Sequence, residues 1–368
     1  MTMLPTMSPY SFGYVLVLFP RYHNGPNPSH RHTHLMISVD PSESFGSALC
    51  QRYTPHSRQS LLLFTDPYVS KHTHTRWVHA RSTELILQFA RALLRAHRIF
   101  AASLCADQSR IWWCPMSVFC SLPLHAMGPI PSDDGERRYF LDLYICSYTP
   151  SLSALIQSCN HDSGSESSDP PSVLLVAQTD LSLPTVGGEI QVVRALNTEV
   201  TSLISEAATP IGVLDGFHHH RFVHFACHGT LEANKPFEAG FELHGDERLT
   251  LLEIVRADLP AAEFAFLSAC HTAEVTEGSI MDEGLHLAAA VQYSRFRSVV
   301  GTMWAMADVD GRELAENFYK ILFSNSRRYK GIPYHERSAK ALQLAVKKLR
   351  KKRRISHERW VNFVHYGA

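Results

Sequence analysis

The sequence predicts an α/β protein built on a mostly parallel central sheet with helices on both faces. Three observations lead there. Apolar runs of strand length alternate with helical patterns through the second half of the chain, the order that builds parallel sheets. The runs at 173–177, 221–226 and 263–268 carry little polar alternation, as strands covered on both faces require. Two of them stop at a reactive side chain: Phe-Val-His-Phe-Ala-Cys-His-Gly delivers His228, and Phe-Ala-Phe-Leu-Ser-Ala-Cys-His-Thr-Ala delivers Cys270. The carboxyl ends of strands are where open α/β sheets place their chemistry.

In chain order, residues 1–75 mix Pro, Ser and His with scattered aromatics and show no sustained period. They are expected to form a loosely ordered N-terminal extension, or the remnant of a longer upstream region. The domain itself is expected over 76–368. Leu85, Ile86, Phe89, Ala90, Leu93 and Leu94 recur at helical spacing and predict an amphipathic helix. A short strand closed by Pro115 follows at 111–115, then an extended segment at 122–126 and a strand over 140–147. Residues 150–158 read as a short helix capped by Ser151, with Leu152, Leu155 and Ile156 on one face. A Ser, Asp, Gly and Pro-rich loop near 160–171 divides the domain into an N-terminal part and a catalytic part, 172–368.

The catalytic part then predicts a strand at 173–177, a helix at 187–198, and strands at 221–226 and 263–268. A helix at 282–293, a strand at 298–303 and a helix at 311–323 with Leu314, Phe318 and Leu322 on one side come next. A long helix at 337–352 is the last predicted element. No repeat of 20 to 50 residues is present.

Bulk properties narrow the function classes. Among 368 residues, 35 Lys and Arg balance 35 Asp and Glu, so net charge gives no pull toward nucleic acid or an anionic membrane. Apolar content of 45% describes a globular chain long enough to bury a core. The 8 cysteines include no Cys-x-x-Cys pair and suggest no disulfide framework, which predicts a reducing, cytoplasmic setting. No apolar stretch approaches the roughly 20 residues needed to span a bilayer. The dense basic run at 347–354 suits the dipole at a helix C-terminus; nuclear targeting or nucleic-acid contact is its alternative reading.

The chemistry that matches His228 and Cys270 is a thiol nucleophile activated by an imidazole. A free thiol near pKa ~8.5 is mostly protonated at neutral pH, and a neighbouring imidazole raises the thiolate fraction and later protonates a leaving amine. Gly229 allows a sharp turn with its amide facing a developing oxyanion, and the amide of Cys270 supplies a second donor. The two residues are 42 apart, with Ala269 before the thiol. Caspases place their histidine about 50 residues upstream of an Ala-Cys. Small residues around the thiol, Ser268, Ala269, Thr272 and Ala273, leave room for a peptide.

These strings, with Ser-Val-Val-Gly-Thr-Met-Trp, Phe318-Tyr319 and the closing Glu-Arg-Trp-Val-Asn-Phe-Val-His-Tyr-Gly, resemble the CHAT domain. So do Ile-Trp-Trp-Cys-Pro, Pro-Leu-His-Ala and Ser-Tyr-Thr-Pro-Ser-Leu-Ser-Ala-Leu upstream. This is a caspase-like cysteine-peptidase family often joined to tetratricopeptide repeats, and the version here looks fungal. The resemblance covers roughly residues 78 to 368. It implies a caspase-like fold with His228 as catalytic histidine and Cys270 as nucleophile. It also implies a protein or peptide substrate, with a regulatory protein partner as a further expectation, and it implies no cofactor.

The same residues admit other readings. A CHAT domain kept as a silent scaffold for protein interaction is the main alternative. A zinc site from Cys227, His228, Cys270 and His271 is disfavoured because adjacent ligands diverge. The triplet at 218–220 reads as a solvated turn, and Cys227 as a core thiol. His125 and Trp304 are candidate cleft residues, each with packing as its plainer role. Asp282, with Glu283, either starts the following helix or faces a basic substrate side chain.

Overall fold

The computed structural model describes residues 13–20, 32–39, 48–53, 60–63, 110–115, 120, 122–128, 130–131, 137–159, 171–179, 186–230, 235–245, 247–257, 259, 262–268, 287–304, 308–324, 329, 332–353 and 355–368. They fall into two compact units, 1–140 and 141–368.

The first unit is an antiparallel sheet. Strands β1 (Gly13–Pro20), β2 (His32–Val39), β3 (Ala48–Tyr53) and β4 (Ser60–Leu63) pair in sequence order, and β5 (Arg110–Pro115) pairs with the other edge of β1. The region read as lacking any strand period therefore supplies four strands. The expected strand at 111–115 is present, with Trp113 buried against Phe140. The segment expected to be extended at 122–126 instead closes a 3-10 turn, Leu124–Ala126, where the amide of Ala126 donates to the carbonyl of Pro123. Proline presets the φ that starts such a turn. Two short strands, β6 (Ile130–Pro131) and β7 (Arg137–Arg138), complete the unit. The helix predicted around residues 85–94 lies outside the described residues.

In the second unit the expected strand over 140–147 is replaced by a helical turn, α1 (Phe140–Leu143), followed by β8 (Ile145–Tyr148). Tertiary contacts override the apolar pattern here. The amide of Gln343 donates to the carbonyls of Leu141 and Tyr144, and Asp142 accepts a forked pair of bonds from Arg350 at 2.8 and 2.9 Å. Helix α2 (Leu152–Cys159) is capped by Ser151 as expected, at 3.1 Å to the amide of Ala154. Its buried residues are Ala154, Leu155 and Ser158; Leu152 and Ile156 are exposed, so the predicted apolar face is rotated.

The main sheet of this unit runs β10 (Val200–Ile204), β9 (Val173–Ala177), β11 (Phe222–Ala226), β15 (Phe264–Leu267), β16 (Ser298–Thr302), β17 (Phe363–Gly367), β8. The first five are mutually parallel, and β17 is antiparallel to β16. Every residue of β9, β11, β15 and β16 is buried, which explains why their sequences lack polar alternation.

Successive side chains of β11 divide the two helical layers. His224 stacks on Phe266 and faces α3 (Val186–Arg194) and α7 (Asp308–Leu322). Its neighbour Phe225 faces the other way, onto Phe217 of α4 (Pro210–His219) and Phe241. On the first face Phe264, Phe266, Phe318 and Tyr319 pack with centroids 5.3 to 5.6 Å apart. Each such ring contributes about 1.5–3 kcal/mol of hydrophobic stabilisation. The expected stripe of Leu314, Phe318 and Leu322 is fully buried there. Helix α8 (Tyr334–Arg353) packs beside α7, and α6 (Leu287–Tyr293) lies on β16.

Three features were not expected from the sequence. His218 and His219 end helix α4 rather than forming a turn, and that helix is opened by Thr209 with Pro210 at its first position. A three-stranded antiparallel sheet, β12 (Gly229–Thr230), β13 (Gly240–Glu242) and β14 (Arg248–Thr250), follows β11. It leads into α5 (Leu251–Arg256) through a reciprocal capping box between Thr250 and Glu253. The basic run is partly consumed inside the fold: Lys347 and Arg350 hold Asp142, and Lys352 holds Glu313 at 3.2 Å.

Candidate functional site

Strand β11 leaves the sheet at Ala226. Cys227 is fully buried, as a core thiol would be, and the next residue, His228, is half-buried. The chain then enters β12, whose pairing fixes the backbone around the histidine. The amide of Glu242 donates to the carbonyl of His228 at 2.9 Å, a bond that flanks the next pair of the ladder. Gly229 opposite Phe241 is then the alternate, non-hydrogen-bonded pair. In such a pair the amide faces away from the partner strand. The Gly229 N–H thus points away from β13.

Strand β15 lies beside β11 in parallel register, with His224 opposite Phe266 and Phe225 opposite Leu267. The amide of Ser268 continues the ladder onto the carbonyl of Phe225 at 2.8 Å. Ser268 is the last described residue of this segment. Ala269, Cys270, His271, Thr272, Ala273, Asp282 and Glu283 lie outside the described residues, and α6 is described only from Leu287.

Ser268 does not serve as open space for a peptide, as its size suggested. It is buried, and its hydroxyl donates to Glu189 Oε2 at 2.9 Å. The other carboxylate oxygen, Oε1, lies 3.0 Å from His224 Nε2, and His224 Nδ1 lies 2.9 Å from the Tyr319 hydroxyl. Burial, and secondly the charge of Glu189, raise the Tyr319 phenol well above its ordinary pKa, so it keeps its proton. Its hydroxyl is paired with His224 Nδ1, and the other ring nitrogen with Glu189. Tyr319, His224 and Glu189 thus form one buried hydrogen-bonded chain, with Ser268 donating from the far side.

Sequence reading missed this cluster, although it left a signal. His224 is the one polar residue within 222–226, and Glu189 falls on the apolar face formed by Val186, Ile190 and Val193. A titratable residue on an apolar face requires a partner.

The two further cleft candidates have other surroundings. His125 is buried in the 3-10 turn of the first unit. Trp304 follows β16 and is tied to the end of the chain. Its amide donates to Asn362 Oδ1 at 2.8 Å, its carbonyl accepts from Asn362 Nδ2 at 2.8 Å, and its indole N–H donates to the carbonyl of Glu358. The closing motif is an anchor throughout. Arg359 grips the buried Asp310, Trp360 packs under Arg350, and His365 bonds Ser298, Ser338 and Ser147. Asn362→Ala is expected to cost about 2–3 kcal/mol, because it strips the partners from both backbone groups of Trp304. Chemical denaturation measures it, with an unchanged denaturant slope.

Among the described residues no group of three or more His, Cys, Asp or Glu gathers as a metal site would, and no helix is long and apolar enough to cross a membrane. Burial raises the Cys114 thiol to about 11, so it is protonated and slow to react at neutral pH.

A buried, mostly parallel sheet flanked by helices, with a histidine just beyond one central strand, defines an α/β protein. The CHAT domain family model matches residues 81–368, and the chain belongs to that family. No curated protein matches it. Among solved structures it is similar to the Arg-specific cysteine proteinase gingipain R, with 11% identity over 66% of this chain and 57% of that one and a TM-score of 0.47. A complex of gingipain pro- and mature domains from Porphyromonas gingivalis shares 11% identity over 61% of this chain and 55% of that one, with a TM-score of 0.44. The Saccharomyces cerevisiae separase–securin complex shares 16% over 63% of this chain and 14% of that one, with a TM-score of 0.43. The chain thus spans just over half of the gingipain chain and a small part of separase.

Proposed function

We propose that the chain is a cysteine endopeptidase acting on a protein substrate through a Cys270–His228 dyad. One observation carries the reading, the register of β11 on β15. His224 is opposite Phe266, and His228 and Cys270 each follow their registered residue by four positions. Neighbouring strands run about 4.8 Å apart, so the register sets the ends of β11 and β15 side by side, and both proposed residues follow those ends within a few positions. The orientation of the Gly229 amide and membership in the CHAT family support the same reading.

In the proposed reaction His228 takes the proton of Cys270, and the sulfur attacks the scissile carbonyl carbon. The amides of Gly229 and Cys270 hold the oxyanion. Collapse breaks the C–N bond, His228 returns the proton to the departing amine, and a thioester remains. Water, deprotonated by His228, then hydrolyses it and restores the thiol. Regulated signalling inside the cell, under a protein partner, is the setting that goes with this reading.

Labelling kinetics test it. Iodoacetamide or a peptidyl acyloxymethyl ketone is expected to modify Cys270 at least tenfold faster than the buried Cys227 and Cys114. Equal rates at Cys270 and Cys227 would overturn the dyad.

A further inference from the structure

We infer that Glu189 is a positioning residue for the dyad. Its carboxylate clamps the two strands that lead to His228 and Cys270 at fixed stagger. This rests on the endopeptidase reading and adds to it a part that neither motif contains.

The clamp spans three elements distant in sequence. One oxygen of Glu189 takes His224, four residues before His228, and the other takes Ser268, two residues before Cys270. The helix α3 that carries Glu189 therefore binds β11 and β15 through one side chain. All four members are nearly inaccessible: His224 at 0%, Tyr319 at 1%, Glu189 at 3% and Ser268 at 5%. Glu189 sits in the first turn of α3, where the helix dipole favours a negative charge. With the phenol at Nδ1 and the carboxylate at Nε2, both ring nitrogens of His224 are engaged and the ring is fixed in one orientation.

An apolar filling of the same volume would cover the sheet at lower desolvation cost. What the polar cluster adds is direction, because hydrogen bonds fail within a few tenths of an ångström where dispersion contacts yield. A dyad needs that sharpness: misplacement by about 1 Å costs on the order of a hundredfold in rate. Ser268 precedes Cys270 by two residues, so the anchor holds the chain just before the thiol.

The experiment compares two probes of Cys270. Iodoacetamide needs only a thiolate; a peptidyl acyloxymethyl ketone also needs the histidine and the oxyanion donors in place. Ser268→Ala cuts the arm toward Cys270 and removes one oxygen atom. It is expected to slow the ketone about tenfold and iodoacetamide less than threefold, with cooperative unfolding retained. Glu189→Gln keeps both contacts, its carbonyl accepting from His224 and its amide donating to Ser268, so ketone reactivity is expected within threefold of wild type. Glu189→Ala is expected to lose at least as much as Ser268→Ala. A folded Ser268→Ala protein with the wild-type ketone rate overturns the clamp, and so does a Glu189→Gln protein as slow as Glu189→Ala. A wild-type Cys270 that reacts no faster than Cys227 overturns the dyad itself, and the two failures are thereby told apart.

Discussion

Cys270→Ala is expected to abolish peptide hydrolysis, with a loss on the order of 10⁴-fold or more. Removing the nucleophile removes the acyl-enzyme route, and what remains is binding and oxyanion stabilisation without a covalent step. His228→Ala is expected to fall by a similar factor, because the members of such a pair act as a unit and their losses do not add. Cys227→Ala is the matched comparison. Its side chain is buried at the end of β11, one position from the histidine, and activity is expected to survive its replacement. Turnover of a peptide library by the purified chain measures all three. Equal cleavage by wild type and Cys270→Ala, or no cleavage by either under any activating condition, would favour a CHAT scaffold that binds proteins without cutting them.

Gly240→Ala is expected to destabilise the fold by about 2–4 kcal/mol and to lower activity with it. A Cβ at this position would lie 2.2 Å from the carbonyl oxygen of Leu249 and 2.9 Å from the Cα of Thr250. Both are backbone atoms of β14, and backbone cannot swing aside as a long side chain does. Relief requires β13 to move off β14. That strand holds His228 through the Glu242 amide and faces Gly229 through Phe241, so its displacement reaches the proposed oxyanion donor. Gly187→Ala provides the contrast. It lies in helix α3, where a Cβ would meet nothing within 4 Å, and alanine there is expected to be neutral or stabilising by up to about 1 kcal/mol. Urea unfolding of the two proteins is expected to move in opposite directions from wild type.

Much of the second unit was legible because buried parallel strands and amphipathic helices have distinct periods. Val173–Ala177 and Phe264–Leu267 are apolar throughout and proved to be central strands; Leu314, Phe318 and Leu322 gave the buried stripe of α7. Other local signals were present but passed unread. Thr209-Pro210 is a helix start, and Thr250 with Glu253 three residues later is a capping box. Helices α4 and α5 both followed from them. The segment 140–147 was misleading for a different reason. Its apolar residues suit a strand, and the polar groups of Gln343, Lys347 and Arg350, some 200 residues away, hold its first four residues in a helical turn.

By itself the sequence determined the fold class, the family, and the two residues proposed to react, because each depends on composition, period or motif within a short window. Which side chains meet across the sheet was decided only by the tertiary structure. The closing motif becomes antiparallel strand β17 and an anchor for Trp304, and Glu189 reaches His224 and Ser268, 35 and 79 residues further along. A hydrogen bond between residues that far apart leaves no periodic trace in the chain. Its only local mark is a polar residue where the surrounding pattern asks for an apolar one.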